Sequence, residues 1–227
     1  VLLGPSGCGK STLLRSVNRL VVPQSGTVYL DSEDTAEVDP VQLRRRIGYV
    51  IQAVGLFSHM TVADNIAVVP SLLQWDRARI AARVDELLDL VGLDAKRYRK
   101  RYPRELSGGE QQRVGVARAL AAQPPVLLMD EPFGAVDAIV RASLQDEIAR
   151  IAQHLHTTIL FVTHDVNEAL RLAERIVVMR DGRVEQYDTP LQIVSNPATP
   201  YVRQLFALDE EERRFDSLRA SLAQRKT

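Results

Sequence analysis

Gly4-Pro-Ser-Gly-Cys-Gly-Lys-Ser11 follows the apolar run Val1-Leu2-Leu3 and precedes Leu13, Leu14 and Val17. The run reads as the end of a buried strand, and the three later residues are spaced as the inward face of a helix. Between them, G-x-x-x-x-G-K-S reads as a phosphate-binding loop, because strand, glycines, Lys-Ser and helix come in the order the mechanism needs. Gly4, Gly7 and Gly9 let the backbone turn its N–H groups inward onto an anion, with the helix N-terminus behind them. Lys10 is placed to reach the terminal phosphates, and the Ser11 hydroxyl to ligate Mg2+. Pro5, Ser6, Cys8 and Thr12 complete the stretch expected to touch the nucleotide. The stretch implies a nucleoside triphosphate site.

The 227 residues suffice for one substantial core, alone or with a small appended subdomain. Twenty-nine basic residues balance twenty-nine acidic ones, so no global field draws the chain to nucleic acid or anionic lipid. Cys8 is the one cysteine, which excludes an intrachain disulfide; it reads as a small filler of the loop. No apolar run reaches the roughly 18–20 residues of a membrane helix; Ile66–Trp75 comes nearest and Pro70 interrupts it. The chain begins almost inside its first motif, so further N-terminal strands are expected upstream of Val1.

Apolar runs alternate with helical patterns, the mark of an α/β fold with a mostly parallel sheet flanked by helices. Strands are expected at Thr27–Leu30, Ile47–Ile51, Val126–Asp130, Thr158–Thr163 and Arg175–Arg180, with Asp181-Gly182 turning into a returning strand Val184–Tyr187. Helical periodicity marks Arg77–Val91 and Ala138–His154. Phe57 to Pro124 carries no strand signal, so residues 57–123 read as a helical subdomain inserted into a nucleotide-binding core of residues 1–56 and 124–189. Residues 190–227 read as a polar, helical tail, in which Phe215, Leu218 and Leu222 share a face.

Val126-Leu-Leu-Met-Asp130-Glu131 is an apolar strand ending in two carboxylates at the sheet edge where ligands sit. Asp130 is the candidate to hold Mg2+ and Glu131 the candidate general base for the attacking water. Leu106-Ser-Gly-Gly-Glu-Gln-Gln-Arg113 opens a second helix. Ser107 and Glu110 alone make an ordinary capping box, but Gly108-Gly109 is costly in a first helical turn unless backbone must approach something. A helix N-terminus with a serine hydroxyl is a second phosphate site. His164 follows the strand Thr158–Thr163 and precedes an Asp165-x-x-Glu168 cap; by itself such a histidine is more often structural. The run Lys96–Arg104, basic with two tyrosines, reads as a solvated segment before the second helix, and nucleic acid is not expected as a partner.

Phosphate loop, Leu-Ser-Gly-Gly-Glu, Asp-Glu pair and downstream histidine together resemble the nucleotide-binding subunit of an ABC transporter, in that family's order and over nearly the whole chain. The resemblance implies a phosphate-loop ATPase cassette that binds ATP and Mg2+ and pairs head to tail as a homodimer. Each ATP would lie between one copy's phosphate loop and the other's Ser107, Gly108, Gly109 and Glu110. It assigns Gln52 to Mg2+ and the attacking water, His164 to the γ-phosphate and Asp137 to the loop that communicates across the dimer, and it places the adenine-stacking aromatic upstream of Val1. With no membrane span of its own, such a cassette works with integral-membrane permease subunits and an extracytoplasmic solute-binding protein, peripherally on the cytoplasmic face of the inner membrane. Gly48-Tyr-Val-Ile-Gln52, Gly55–Val62, Asn65–Pro70 and Pro132–Ala135 resemble the importers of glycine betaine, choline and related quaternary amines. Members with an osmotic gate often carry regulatory domains beyond the point where this chain ends, Thr227. Leu56, Phe57, Met60 and Trp75, close to Gln52, are the candidate permease-docking face. A soluble ABC-type ATPase acting on nucleic acid or ribosomes, or an importer of another solute, is the alternative.

Overall fold

The computed structural model describes residues 1–53, 55–133, 141, 145, 146, 148–150 and 157–206. In chain order, strand β1 (Leu2–Leu3) leads into helix α1 (Lys10–Val17), followed by β2 (Tyr29–Leu30), β3 (Glu33–Asp34), α2 (Pro40–Arg45) and β4 (Ile47–Val50). Helices α3 (Val62–Leu72), α4 (Arg77–Leu90), α5 (Ala95–Tyr98) and α6 (Gly108–Leu120) come next. Then come β5 (Val126–Asp130), β6 (Thr158–Thr163), α7 (Val166–Leu172), β7 (Ile176–Arg180), β8 (Arg183–Asp188), α8 (Pro190–Ser195) and α9 (Pro200–Leu205).

Six strands form one sheet in the order β4-β5-β6-β1-β7-β8, parallel throughout except for the antiparallel pair β7–β8. β5 is buried along its whole length, as the two-sided cover of a parallel sheet requires. Its side chains alternate between the faces. Leu127 and Met129 join Phe161 and the inward residues of α3, α4 and α6, while Val126 and Leu128 join Leu14 and Leu43. β4 and β5 are neighbours in the sheet, so helices α3 to α6 are inserted between two adjacent strands. They share one apolar cluster with that face of the sheet. Asp181 and Gly182 both have positive φ, 48° and 76°, as the β7–β8 turn demands.

Several expectations need correction. The strand expected at Thr27–Leu30 is only Tyr29–Leu30 and lies outside the main sheet; Asp31 and Ser32, at φ 50° and 67°, turn it straight back onto β3. Leu13 is 41% exposed, because it sits about 100° around α1 from the fully buried Leu14. The stretch beyond Pro190 is not simply a polar tail. Thr189 and Thr199 cap α8 and α9, whose Ile193 and Val202 pack with Phe206 against Leu3, Ile176 and Val178. The run Lys96–Arg104 is also more than a solvated linker, since Tyr98 is buried and the carbonyls of Arg99 and Arg101 accept from Ala63 and Val62 at the start of α3. Gly134, Ala135, Asp137, most of the expected helix Ala138–His154, and Phe215, Leu218 and Leu222 lie outside the described residues. Among the described residues, no helix is long and apolar enough to cross a membrane.

Candidate active site

Four strands adjacent in the sheet deliver the candidate residues at their carboxyl ends, where parallel sheets hold ligands. Gln52 follows β4, Asp130 ends β5 with Glu131 next, His164 follows β6, and the phosphate loop follows β1.

The loop is held from below by β7. A Cβ on Gly4 would lie 2.2 Å from the Met179 carbonyl oxygen and 2.9 Å from Cys8 Sγ, so only glycine fits there. The β7–β8 turn adds a second support, with the Gly182 N–H donating to the Cys8 carbonyl at 3.1 Å. Gly9, at φ 100°, is the N-cap of α1, and no side chain caps that helix. Its first-turn donors therefore have no side-chain acceptor, the arrangement an anion site uses. Lys10 is only 4% exposed, and its Nζ donates to the carbonyls of Gly4 at 2.7 Å and Pro5 at 2.9 Å. A buried ammonium held by neutral carbonyls beside an uncapped helix start fits the phosphates of a nucleotide. Pro5, Ser6 and Gly7 form the exposed rim, and Thr12 is exposed in the first turn of α1.

Ser11 Oγ donates to Asp130 Oδ1 at 2.7 Å, and Asp130 is 2% exposed. A hydroxyl and a carboxylate side by side are the hard oxygen donors that Mg2+ takes, so this pair fits the ion. Arg15 Nη2 lies 3.3 Å from Asp130 Oδ2, and the Tyr49 hydroxyl reaches the same oxygen at 3.5 Å. Burial pushes Tyr49 above its ordinary range, which keeps that hydroxyl a donor.

Glu131 gathers the other candidates. Gln52 Nε2 donates to its Oε2 at 3.3 Å, and His164 Nδ1 lies 3.4 Å from the same oxygen. The Glu131 backbone sits at φ 45°, and its N–H donates to the Val162 carbonyl at 3.1 Å. A non-glycine residue in the left-handed region costs about 1–2 kcal/mol, and such strain clusters at functional sites. A cavity of about 60 Å3 lies beside it, bordered by Phe133, Thr163, His164 and Glu168. Behind His164, the Thr163 hydroxyl donates to Glu168 Oε2 at 2.6 Å, and Gln145 Nε2 to Oε1 at 3.2 Å. Glu168 is therefore not the helix cap its spacing suggests. Asp165 alone caps α7, and Glu168 turns inward, where burial pushes its carboxyl up from the ordinary range.

The Ser107–Glu110 pair forms a complete capping box on α6. Its hydrogen bonds run within the pair and to Tyr98, and among the described residues none reaches the phosphate loop. A Cβ on Gly108 would meet nothing within 4 Å, so the chain's own packing does not require that glycine. The structure thus brings together two groups, Lys10–Ser11–Asp130 and Gln52–Glu131–His164, and leaves the α6 start apart from both.

Arg15, Tyr49 and Tyr98 are the neighbours to which sequence reasoning gave no role, and Glu168 was read as a cap. Arg15 carried a usable signal, lying four residues after Ser11 and so on the same side of α1. Tyr49 and Tyr98 meet their partners only through tertiary packing.

A phosphate loop feeding an uncapped helix, with acids at the next strand ends, places the molecule among the phosphate-loop nucleotide-binding α/β proteins. The family model described as ABC transporter matches residues 1–134, and the chain belongs to that family. It is 51% identical over 214 residues to an osmoprotectant import ATP-binding protein of Salmonella typhimurium, covering 94% of this chain and 56% of the relative. It is 54% identical to a glycine betaine/carnitine/choline transport ATP-binding protein of Bacillus subtilis, covering 89% of this chain and 53% of that one. A glycine betaine uptake system ATP-binding protein of Escherichia coli is 54% identical, with 97% and 71% covered. The chain spans about half the length of the first two. Among solved structures, a dimeric ATP-binding cassette in a post-hydrolysis state bound to ADP and Pi superposes with a TM-score of 0.73. It is 34% identical, and 83% of this chain and 84% of that chain are covered.

Proposed function

We infer that this chain is the ATP-hydrolysing subunit of an importer for a quaternary amine osmoprotectant such as glycine betaine or choline. The observation that carries the chemistry is the convergence of Gln52 and His164 on one oxygen of Glu131, beside the Lys10–Ser11–Asp130 group. The names of the relatives support the cargo, since a cassette does not itself touch the solute.

The uncapped start of α1 and the Lys10 ammonium bind the phosphates, with Nζ exchanging its carbonyl acceptors for phosphate oxygens. Gly4, Pro5, Ser6, Gly7, Cys8, Gly9 and Thr12 form the wall of that cradle. Ser11, Asp130 and Gln52 would hold Mg2+, which when bound neutralises charge on the phosphate oxygens. Glu131 Oε2 takes the proton of the attacking water, Gln52 orients that water, and His164 donates to the γ-phosphate. Ser107, Gly108, Gly109 and Glu110 of a second copy close the site from the other side; the open space at Gly108 supports this. Asp137, outside the described residues, is assigned to communication across the pair. Residues 1–56 and 124–189 serve as the nucleotide-binding core, 57–123 as the helical signature subdomain and 190–227 as the C-terminal part. The pair works with permease subunits and a solute-binding protein, peripherally on the inner membrane.

Radiolabelled glycine betaine, choline and carnitine uptake, in cells with the gene, without it and with Glu131→Gln, tests the reading. Uptake of at least one should disappear in both altered strains. Unchanged uptake of all three, with loss of an amino acid or an inorganic anion instead, would reassign the cargo and leave the chemistry standing.

A further inference from the structure

Tyr98 ends α5 and is 8% exposed, and the nucleotide chemistry leaves it without a task. Its hydroxyl donates to Glu110 Oε1 at 2.5 Å, while the guanidinium carbons of Arg97 and Arg101 lie 5.3 and 4.9 Å from its ring centroid. The other oxygen of that carboxylate accepts the Ser107 N–H at 2.7 Å, and Ser107 Oγ accepts the Glu110 N–H at 3.3 Å. A capping box closes on two reciprocal bonds and needs no third donor. Here a third donor is supplied from a buried ring, and it removes the carboxylate's freedom to rotate. The Tyr98 hydrogen bond is also the main cause that holds Glu110 below its ordinary range, so the box stays charged.

The backbone just beyond Tyr98 holds another helix. The carbonyls of Arg99 and Arg101 accept from Ala63 at 3.1 Å and from Val62 at 2.8 Å, both first-turn donors of α3. That helix in turn holds the loop leading from Gln52. Asn65, with no exposed surface, accepts from the Phe57 N–H at 2.8 Å and donates to the Thr61 carbonyl at 2.9 Å. Three residues within one short segment, Tyr98, Arg99 and Arg101, thus grip two helix N-termini, one through carbonyls and the other through a phenol.

We propose that Tyr98 is a positioning residue that, through Glu110, aims the Ser107 hydroxyl and the first-turn N–H groups of α6 at the γ-phosphate of a nucleotide held by a second copy. The proposal rests on the reading of α6 as half of an ATP site given under Proposed function. Tyr98 touches no nucleotide, and its grip sets the direction of α6 relative to α3 and the loop after Gln52.

Tyr98→Phe removes the hydroxyl and keeps the ring, and the Glu131→Gln protein, which retains ATP, is the background to test it in. Titration of a fluorescent ATP analogue at low protein concentration should give an unchanged affinity. The melting temperature should fall by no more than about 6 °C, as for one lost charge-assisted hydrogen bond. The dissociation constant of the ATP-induced dimer should rise about tenfold, the size of one charge-assisted bond. Added to Glu110→Ala, Tyr98→Phe should have no further effect, because its route through Glu110 is already gone. If Glu131→Gln protein with intact Tyr98 forms no dimer with ATP, the half-site reading fails and the proposal with it. If that protein dimerises and Tyr98→Phe leaves the dimer equally tight, or weakens it equally with and without Glu110, the role of Tyr98 alone is overturned.

Discussion

The proposed role of Glu131 in the chemistry rests on an uncommon backbone and a crowded carboxylate. Its φ of 45° and the N–H bond to Val162 aim the side chain off the end of β5, toward Gln52 and His164. Asp130, one residue earlier, faces the Ser11 hydroxyl. The left-handed turn just beyond the strand end thus sends two neighbouring carboxylates to different partners, Asp130 to the proposed ion-holding role and Glu131 to the proposed proton-accepting one. Glu131→Gln preserves size and hydrogen bonding but removes the proton acceptor. Hydrolysis, measured as phosphate release, should fall at least the roughly 10²–10⁴-fold typical of a lost general base. ATP binding, proposed to rest on Lys10, Ser11 and the start of α1, should be unchanged in the same protein. Normal phosphate release by this variant would remove Glu131 from the mechanism.

At the scale of elements, legibility followed the length of the pattern. β5 and β6 were readable to the residue, because unbroken apolar runs bounded by Pro125, Asp130 and Thr163 admit one reading. α4 was readable from Ile80, Val84, Leu87, Leu88 and Val91, and α6 from its capping box. α2, α8 and α9 are six residues each, too short to show a period, and their signals were caps instead: Asp39, Thr189 and Thr199, each before a proline. Within the site, the phosphate loop and the two acids were legible from residue chemistry, whereas Gln52 and His164 stood out only through the family resemblance. Tyr49 and Tyr98 act through neighbours distant in sequence, which no local pattern encodes, whereas Arg15 shares a helix face with Ser11 and Glu168 reaches back to Thr163, five residues earlier. The loop before α3 divides in the same way. Leu56 packs against the core cluster, while Phe57 is 42% exposed with Arg118 5.7 Å from its ring. Phe57→Asp should therefore keep the melting temperature near that of the parent and abolish co-purification with a membrane-embedded permease. Leu56→Asp should lower the melting temperature, since it drives a charge into apolar packing. Phe57→Asp protein that still co-purifies with the permease would place the docking face elsewhere.

For the whole molecule, the two proposed half-sites, apart within the described chain, call for a symmetric pair. The phosphate loop and the α6 start do not meet within the described chain, yet each is proposed above to bind phosphate, and Gly108 faces open space. A twofold axis that sets the loop of one copy against α6 of the other satisfies both half-sites twice, with identical contacts. The solved neighbour that covers 83% of this chain is itself a dimer. Glu131→Gln protein should therefore elute as a dimer in size-exclusion chromatography with ATP and Mg2+, and as a monomer without them. Ser107→Arg in that background should abolish the dimer by bulk, but it also deletes the cap of α6, a loss of about 1 kcal/mol that could unseat the helix. Ser107→Asp separates the two effects. Aspartate caps a helix as well as serine does, so α6 stays formed, while its carboxylate would face the γ-phosphate across the interface and repel it. The Ser107→Asp protein should keep its helicity and melting temperature and still fail to dimerise with ATP. If it dimerises as readily as the parent, the start of α6 does not face a phosphate, and the head-to-tail arrangement is wrong for this chain.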